Sequence, residues 1–166
     1  MKTTVTRLKT LIQNNNQSGQ TLSYVKYVEI IHPDILIPNI SLTLLPSIFF
    51  TPISTEEEWV ASQEKQATHI VKAYLVMRYN QRELSIIGDA TRTQGQGMLD
   101  FVNDFLSVVR GTRLAVNDTQ YLDKPLEIQN VDYIREDLGE NSFLIIADIT
   151  MLCVRIFLQT SLPGNI

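Results

Sequence analysis

Ser142–Gln159 reads SFLIIADITMLCVRIFLQ, an almost unbroken apolar run rich in β-branched residues. Periodicity alone leaves helix and strand both open for a run of this kind. Ile145, Ile146, Ile149, Thr150, Val154 and Ile156 decide for a strand over Phe143–Leu158, because branched side chains pack well on a pleated surface. Ordinary strands run about 5–6 residues, so this one is expected to extend past the domain that holds it. Such a chain suits a protein that is contacted better than one that catalyses. The run is shorter than the roughly 20 residues that span a bilayer and carries Asp148 and Arg155, so no membrane partner is expected.

Just upstream, Leu126–Arg135 alternates in polarity and leads through Glu136-Asp137-Leu138-Gly139-Glu140-Asn141 into the apolar run, which predicts an antiparallel hairpin. His69–Tyr79 is a second long strand, with His69, Val71, Ala73, Leu75, Met77 and Tyr79 forming a nearly continuous face. Tyr24–Ile31 reads as a strand that stops at His32-Pro33-Asp34. Pro38 and Pro46 make Ile35–Pro46 an extended connector or edge segment, since proline cannot donate to a ladder. Ser47–Pro52 is expected to be a short strand closed by Pro52, followed by a solvated loop or helix start over Ser54-Thr55-Glu56-Glu57-Glu58.

Two helices complete the reading. Val5, Leu8, Leu11 and Ile12 recur at helical spacing within Thr3–Gln13, with Thr3 or Thr4 as the expected N-cap, and the polar Asn14–Gly19 ends that helix. In Met98–Arg110 the polar residues Asp100, Asn103, Asp104, Ser107 and Arg110 share one face, and apolar residues fill the remaining arc. Asp100 near its start and Arg110 at its end suit the helix dipole, and Gly111 stands where a left-handed C′ residue belongs. Helix, strands, helix, strands, without strict βαβ alternation, predicts an α+β fold. Its sheet is mixed or largely antiparallel, with long strands, packed by an N-terminal helix and a central helix. Residues 1–166 are read as a single domain.

Composition narrows the function classes. The 166 residues are 44% hydrophobic and 19% charged, which fits a packed core rather than disorder. Net charge is −4 and the pI about 5.1, so the basic footprint of a duplex-gripping protein is missing. Nucleic acid could pass such a protein without adhering to it. The one cysteine, Cys153, excludes an internal disulfide and reads as a small buried hydrophobe. MKTTVTRLKTLIQNNN has no apolar core of a signal peptide, so the sequons Asn39-Ile40-Ser41 and Asn117-Asp118-Thr119 are expected to stay unused.

Residues that carry catalytic or metal chemistry are few and scattered. His32 and His69 sit in a turn and at a strand start, in no metal-binding spacing, and no Cys/His zinc set can be assembled. Gly95-Gln96-Gly97 precedes a helix but lacks a phosphate-loop pattern, and Asp100 would repel a phosphate. The acids Glu56, Glu57, Glu58, Asp132, Glu136 and Asp137 are scattered over expected loops, with no pocket to shift their pKa values. No catalytic, cofactor-binding or metal residue is assigned, and no cofactor is expected.

The order of elements resembles that of the tail terminator (tail completion, neck) proteins of long-tailed bacteriophages. The residues that carry the likeness are the N-terminal helix Thr3–Gln13 and the phrase Leu45-Pro46-Ser47-Ile48-Phe49-Phe50-Thr51-Pro52. The strand His69–Tyr79, the helix Met98–Arg110 and the closing hairpin with Phe143–Arg155 continue it. Ser54–Gln66 and Gly111–Lys124 depart from the family pattern. The resemblance implies a non-enzymatic virion protein at the tail–neck junction, made in the host cytoplasm. It would form a homohexameric ring that stops growth of the tail tube. Its partners would be other copies of itself, the tube protein, the sheath of a contractile tail, and the head–tail connector. Genomic DNA would pass through the lumen without specific binding. The alternatives are another neck, head-completion or baseplate component, or a small α+β enzyme.

The central helix explains one apolar face of the long strand, but Leu144, Ile146, Leu152, Val154 and Ile156 on the other face also need cover. The N-terminal helix and an adjacent subunit are both expected to supply it.

Overall fold

The computed structural model describes residues 1–32, 41–79, 97–115, 121–139 and 142–158. Within them the elements follow as α1 (Lys2–Asn15), β1 (Tyr27–Ile30), a 3₁₀ turn (Leu42–Leu44), β2 (Ser47–Ala61), β3 (Glu64–Tyr79), α2 (Met98–Val109), β4 (Glu127–Gly139) and β5 (Ser142–Leu158). The strands form one sheet in the order β1-β2-β3-β5-β4. β1 runs parallel to β2, and every other pairing is antiparallel. The fold is α+β with a mixed sheet, as the residue pattern predicts.

Both helices lie on the same side of the sheet. Val5, Leu8 and Ile12 of α1 join Met98, Phe101, Val102, Phe105 and Val109 of α2 in the main core. Those side chains pack against Val71, Ala73, Leu75 and Met77 of β3 and Ile145, Ala147, Ile149, Met151 and Cys153 of β5, the alternate residues of each strand. Burying rings such as Phe50, Phe101 and Phe105 contributes about 1.5–3 kcal/mol each, so this layer dominates stability. α2 ends as expected: Arg110 donates its N–H to the Leu106 carbonyl, and Gly111 takes a left-handed φ of 73°.

The opposite face is therefore not covered by α1, contrary to expectation. The reason is that α1 and α2 have complementary apolar stripes that meet each other as well as the sheet. Leu144 and Ile146 instead pack in a small second cluster with Leu45, Phe49 and Val76. Leu152, Val154 and Ile156, lower on that face, stay half-buried.

Other departures are local. β2 does not stop at Pro52 but continues to Ala61, with a bulge between Pro52 and Ser54. Proline is tolerated here because β1 has already ended at the level of Phe50, so the missing N–H breaks no ladder on that side. The acidic Ser54–Glu58 is strand, and Ser62-Gln63 makes a two-residue turn into β3, which starts at Glu64 rather than His69. His69 is thus an interior strand residue. β1 is shorter than Tyr24–Ile31, and β4 runs on to Gly139, through most of the expected turn. Neither Thr3 nor Thr4 caps α1: Met1 is the N-cap position, and Thr4 is buried with its hydroxyl 3.4 Å from the Tyr121 hydroxyl. Gly95 and Gln96 of the glycine-rich segment before α2, and most of the Ile35–Pro46 connector, lie outside the described residues.

Candidate interaction surface

Beyond the level of His69, three strands run on together. Glu56–Ala61 of β2, Glu64–Thr68 of β3 and Val154–Leu158 of β5 form an arm that, among the described residues, no helix covers. The start of α1 marks where cover ends, since the Met1 amino nitrogen lies 3.3 Å from His69 Nε2. The residues of the arm explain its exposure. Glu56, Glu57, Glu58, Glu64, Lys65 and Gln66 cannot form a core, and two bulges fall at its ends.

On its helix side the arm carries a row Glu57, Ala67, Arg155 and a next row Trp59, Lys65, Phe157. Trp59 is 56% exposed, with Lys65 over its ring at 4.9 Å, and Lys65 also approaches Glu57 at 3.5 Å. At the junction with the core, Arg7 and Arg155 both stack on Tyr121, at 4.3 and 4.2 Å from the ring centre. Arg7 donates to the Leu114 carbonyl and Arg155 to the Tyr121 carbonyl. No carboxylate among the described residues pairs with either guanidinium. The neighbouring titratable groups register this positive field. Burial, the Met1 ammonium and Arg155 together hold His69 below the ordinary histidine pKa, and burial and Arg155 lower the Met1 amine. Thr55 Oγ1 lies 2.9 Å from His69 Nδ1 and orients the ring.

On the opposite side of the sheet Lys72 and Asp148 form an ion pair. Lys72 Nζ donates to Asp148 Oδ2 at 2.7 Å, which raises the Lys72 pKa, while Asp148 Oδ1 is buried without a partner. Asp132 of β4 stands directly across from Asp148, an unfavourable like-charge pairing that Lys72 offsets.

β4 closes the far edge of the sheet. Tyr133, Ile134 and Leu138 are exposed along it, interleaved with Glu127, Asp132, Glu136 and Asp137. Its only cation, Arg135, is engaged by Asp137. Among the described residues nothing pairs with its outer edge.

These groups do not assemble into catalytic machinery. Cys153 is fully buried, as its sequence context suggests, and burial pushes its thiol up to about 12, so thiolate chemistry is suppressed. His69 meets a threonine and an amine rather than a nucleophile with an orienting acid. Among the described residues no three His, Cys, Asp or Glu side chains gather as a metal site would require. Glu56, Glu57 and Glu58 lie along the arm, and Asp132, Glu136 and Asp137 along β4, on opposite edges of the sheet. The Arg7–Tyr121–Arg155 stack was not foreseeable from spacing; its one sequence signal was the placing of Arg155 inside an otherwise apolar strand.

No family model matches the sequence, and no curated protein is similar to it. Among solved structures, the chain is similar to one in "Virion of native gene transfer agent (GTA) particle", at 10% identity and a TM-score of 0.44. The match covers 87% of this chain and 92% of that one.

Proposed function

We propose that this protein is a single-domain structural subunit of a phage-like particle, a tail terminator that rings the head-proximal end of the tail. In this reading it carries no catalytic site. Copies assemble side by side into a hexamer, stop growth of the tail tube, and present a surface to the head–tail connector. The observation that carries the reading is the three-stranded arm beyond the helices. A chain that extends its sheet past its own core and tips it with an exposed tryptophan is built to be covered by something else. A closed ring needs two different, complementary surfaces on each subunit, and β2, which edges the arm, and β4 lie on opposite sides of one sheet. The order of elements noted above supports the same reading.

The test is assembly. Purified protein is expected to form rings, alone or on tail tube protein, visible by negative-stain imaging and by native mass measurement. A chain that stays monomeric and never associates with tubes would sink the proposal. Binding to portal protein instead of tube protein would move the subunit to a head-completion role.

A further inference from the structure

Apart from Leu42 and Leu99, the exposed large apolar side chains among the described residues fall in two groups. Among the described residues, Ile53, Trp59 and Val60 lie on β2 toward or within the arm, and Tyr133, Ile134 and Leu138 lie on β4. Isolated exposed hydrophobics are ordinary, whereas two groups at opposite edges of one sheet suggest two surfaces. Charge separates them further. The corner where the arm meets the start of α1 holds Arg7 and Arg155 without a carboxylate partner, together with Lys65. Glu127, Asp132 and Glu136 on β4 have no cation within ion-pair distance among the described residues.

Simple edge-to-edge pairing of β2 with β4 of another copy is disfavoured. It would set Glu56, Glu57 and Glu58 against Glu127, Asp132, Glu136 and Asp137, acid against acid. The helix-side corner is net positive, with Arg7, Arg155 and Lys65 against Glu57 alone. Two guanidiniums stacked on one ring can be no more than about 8.5 Å apart from their 4.3 and 4.2 Å separations, and their mutual repulsion falls when an anion binds between or beside them.

We propose that the corner formed by Arg7, Tyr121, Arg155, Lys65 and Trp59 receives the acidic, apolar strand β4 of a second copy. The contact is heterologous: each copy offers a corner on one side and β4 on the other. The inference rests on the ring reading above and names the surfaces that the ring would use. Ile134 brings apolar area to Trp59, and Asp132 and Glu136, on the same face of β4 as Ile134, bring carboxylates to the guanidiniums.

Paired variants of the full chain test this. Trp59→Asp or Arg155→Glu spoils the corner; Asp132→Lys with Glu136→Lys spoils β4. Each alone is expected to weaken self-association at least tenfold by analytical ultracentrifugation, in solution or on tail tube protein. An equimolar mixture of a corner variant with the β4 variant is expected to give a dimer and nothing larger, because only one intact corner then meets one intact β4. Trp59 is largely exposed, so Trp59→Asp is expected to fold, with an unchanged circular dichroism spectrum and melting temperature. If the unaltered chain assembles and these variants assemble equally well, or the mixture does not combine, this contact is wrong while the ring reading stands. If the unaltered chain never assembles, the ring reading fails and the contact fails with it.

Discussion

Arg155 is tied to Tyr121 twice, by a guanidinium 4.2 Å from the ring centre and by an Nε–H donated to the Tyr121 carbonyl at 3.2 Å. Thirty-four residues separate them in sequence, so the stack fastens the segment before β4 to the far end of β5. Arg7 adds a second cation to the same ring and links α1 to it.

Removing the ring should loosen three elements at once. Tyr121→Ala is expected to destabilise the fold by about 2 kcal/mol, from two cation–π contacts and lost packing at a half-buried site. Tyr121→Phe should cost under about 0.5 kcal/mol, since the hydroxyl makes only a long contact to Thr4. Urea unfolding of both variants checks this; equal losses would show that the hydroxyl, not the ring, matters.

His69 sets an acid-side dependence. Its folded pKa is depressed, chiefly by burial, so the unfolded chain binds the proton more readily. Stability should therefore be full above the unfolded value of about 6.5 and fall as pH drops below it. His69→Gln should flatten the change in urea midpoint between pH 8 and pH 5. A midpoint that stays equally pH-dependent in the variant would assign the effect elsewhere.

The Lys72–Asp148 pair is asymmetric in a testable way. Lys72→Ala leaves a carboxylate with one buried, unpartnered oxygen opposite Asp132 and is expected to cost about 2 kcal/mol, reduced from the fully buried case because Lys72 is partly exposed. Replacing both, as Lys72→Met with Asp148→Leu, should recover most of that loss. A double-mutant cycle in urea gives the coupling directly; additive losses would argue against the pairing.

Cys153 should be chemically silent in the fold. With the side chain fully buried and its pKa raised to about 12, a disulfide-exchange reagent is expected to label it only as fast as the protein opens. Labelling of unfolded protein should be faster by several orders of magnitude. Comparable rates in native buffer and in denaturant would contradict the burial of β5 at this position.

Much of the fold was legible because it depends on local pattern. The β-branched density of Ser142–Leu158 marked a strand, and the polar stripe of α2 marked its exposed face, each from residues a few positions apart. Gly111 marked the helix end for the same reason. Pro52 misled because its effect depends on what lies beside it. Where β1 has already ended, a missing N–H costs little, and β2 runs on as strand through a bulge. His69 looked like a strand start because the arm before it is polar on both faces and gives no alternating signal.

The sequence by itself determined the two helices, the core stretches of the strands other than the second half of β2, and that one long strand would outrun its core, since backbone preference and side-chain period are properties of neighbours along the chain. Only the tertiary structure decided that α1 and α2 share one face, leaving Leu152, Val154 and Ile156 of the other half-exposed. It alone brought Arg7, Tyr121 and Arg155 together and set Asp132 against Asp148. Those meetings depend on strand register and on how distant elements pack. A shift of register by one residue would turn every side chain of β5 to the opposite face while leaving its local pattern unchanged.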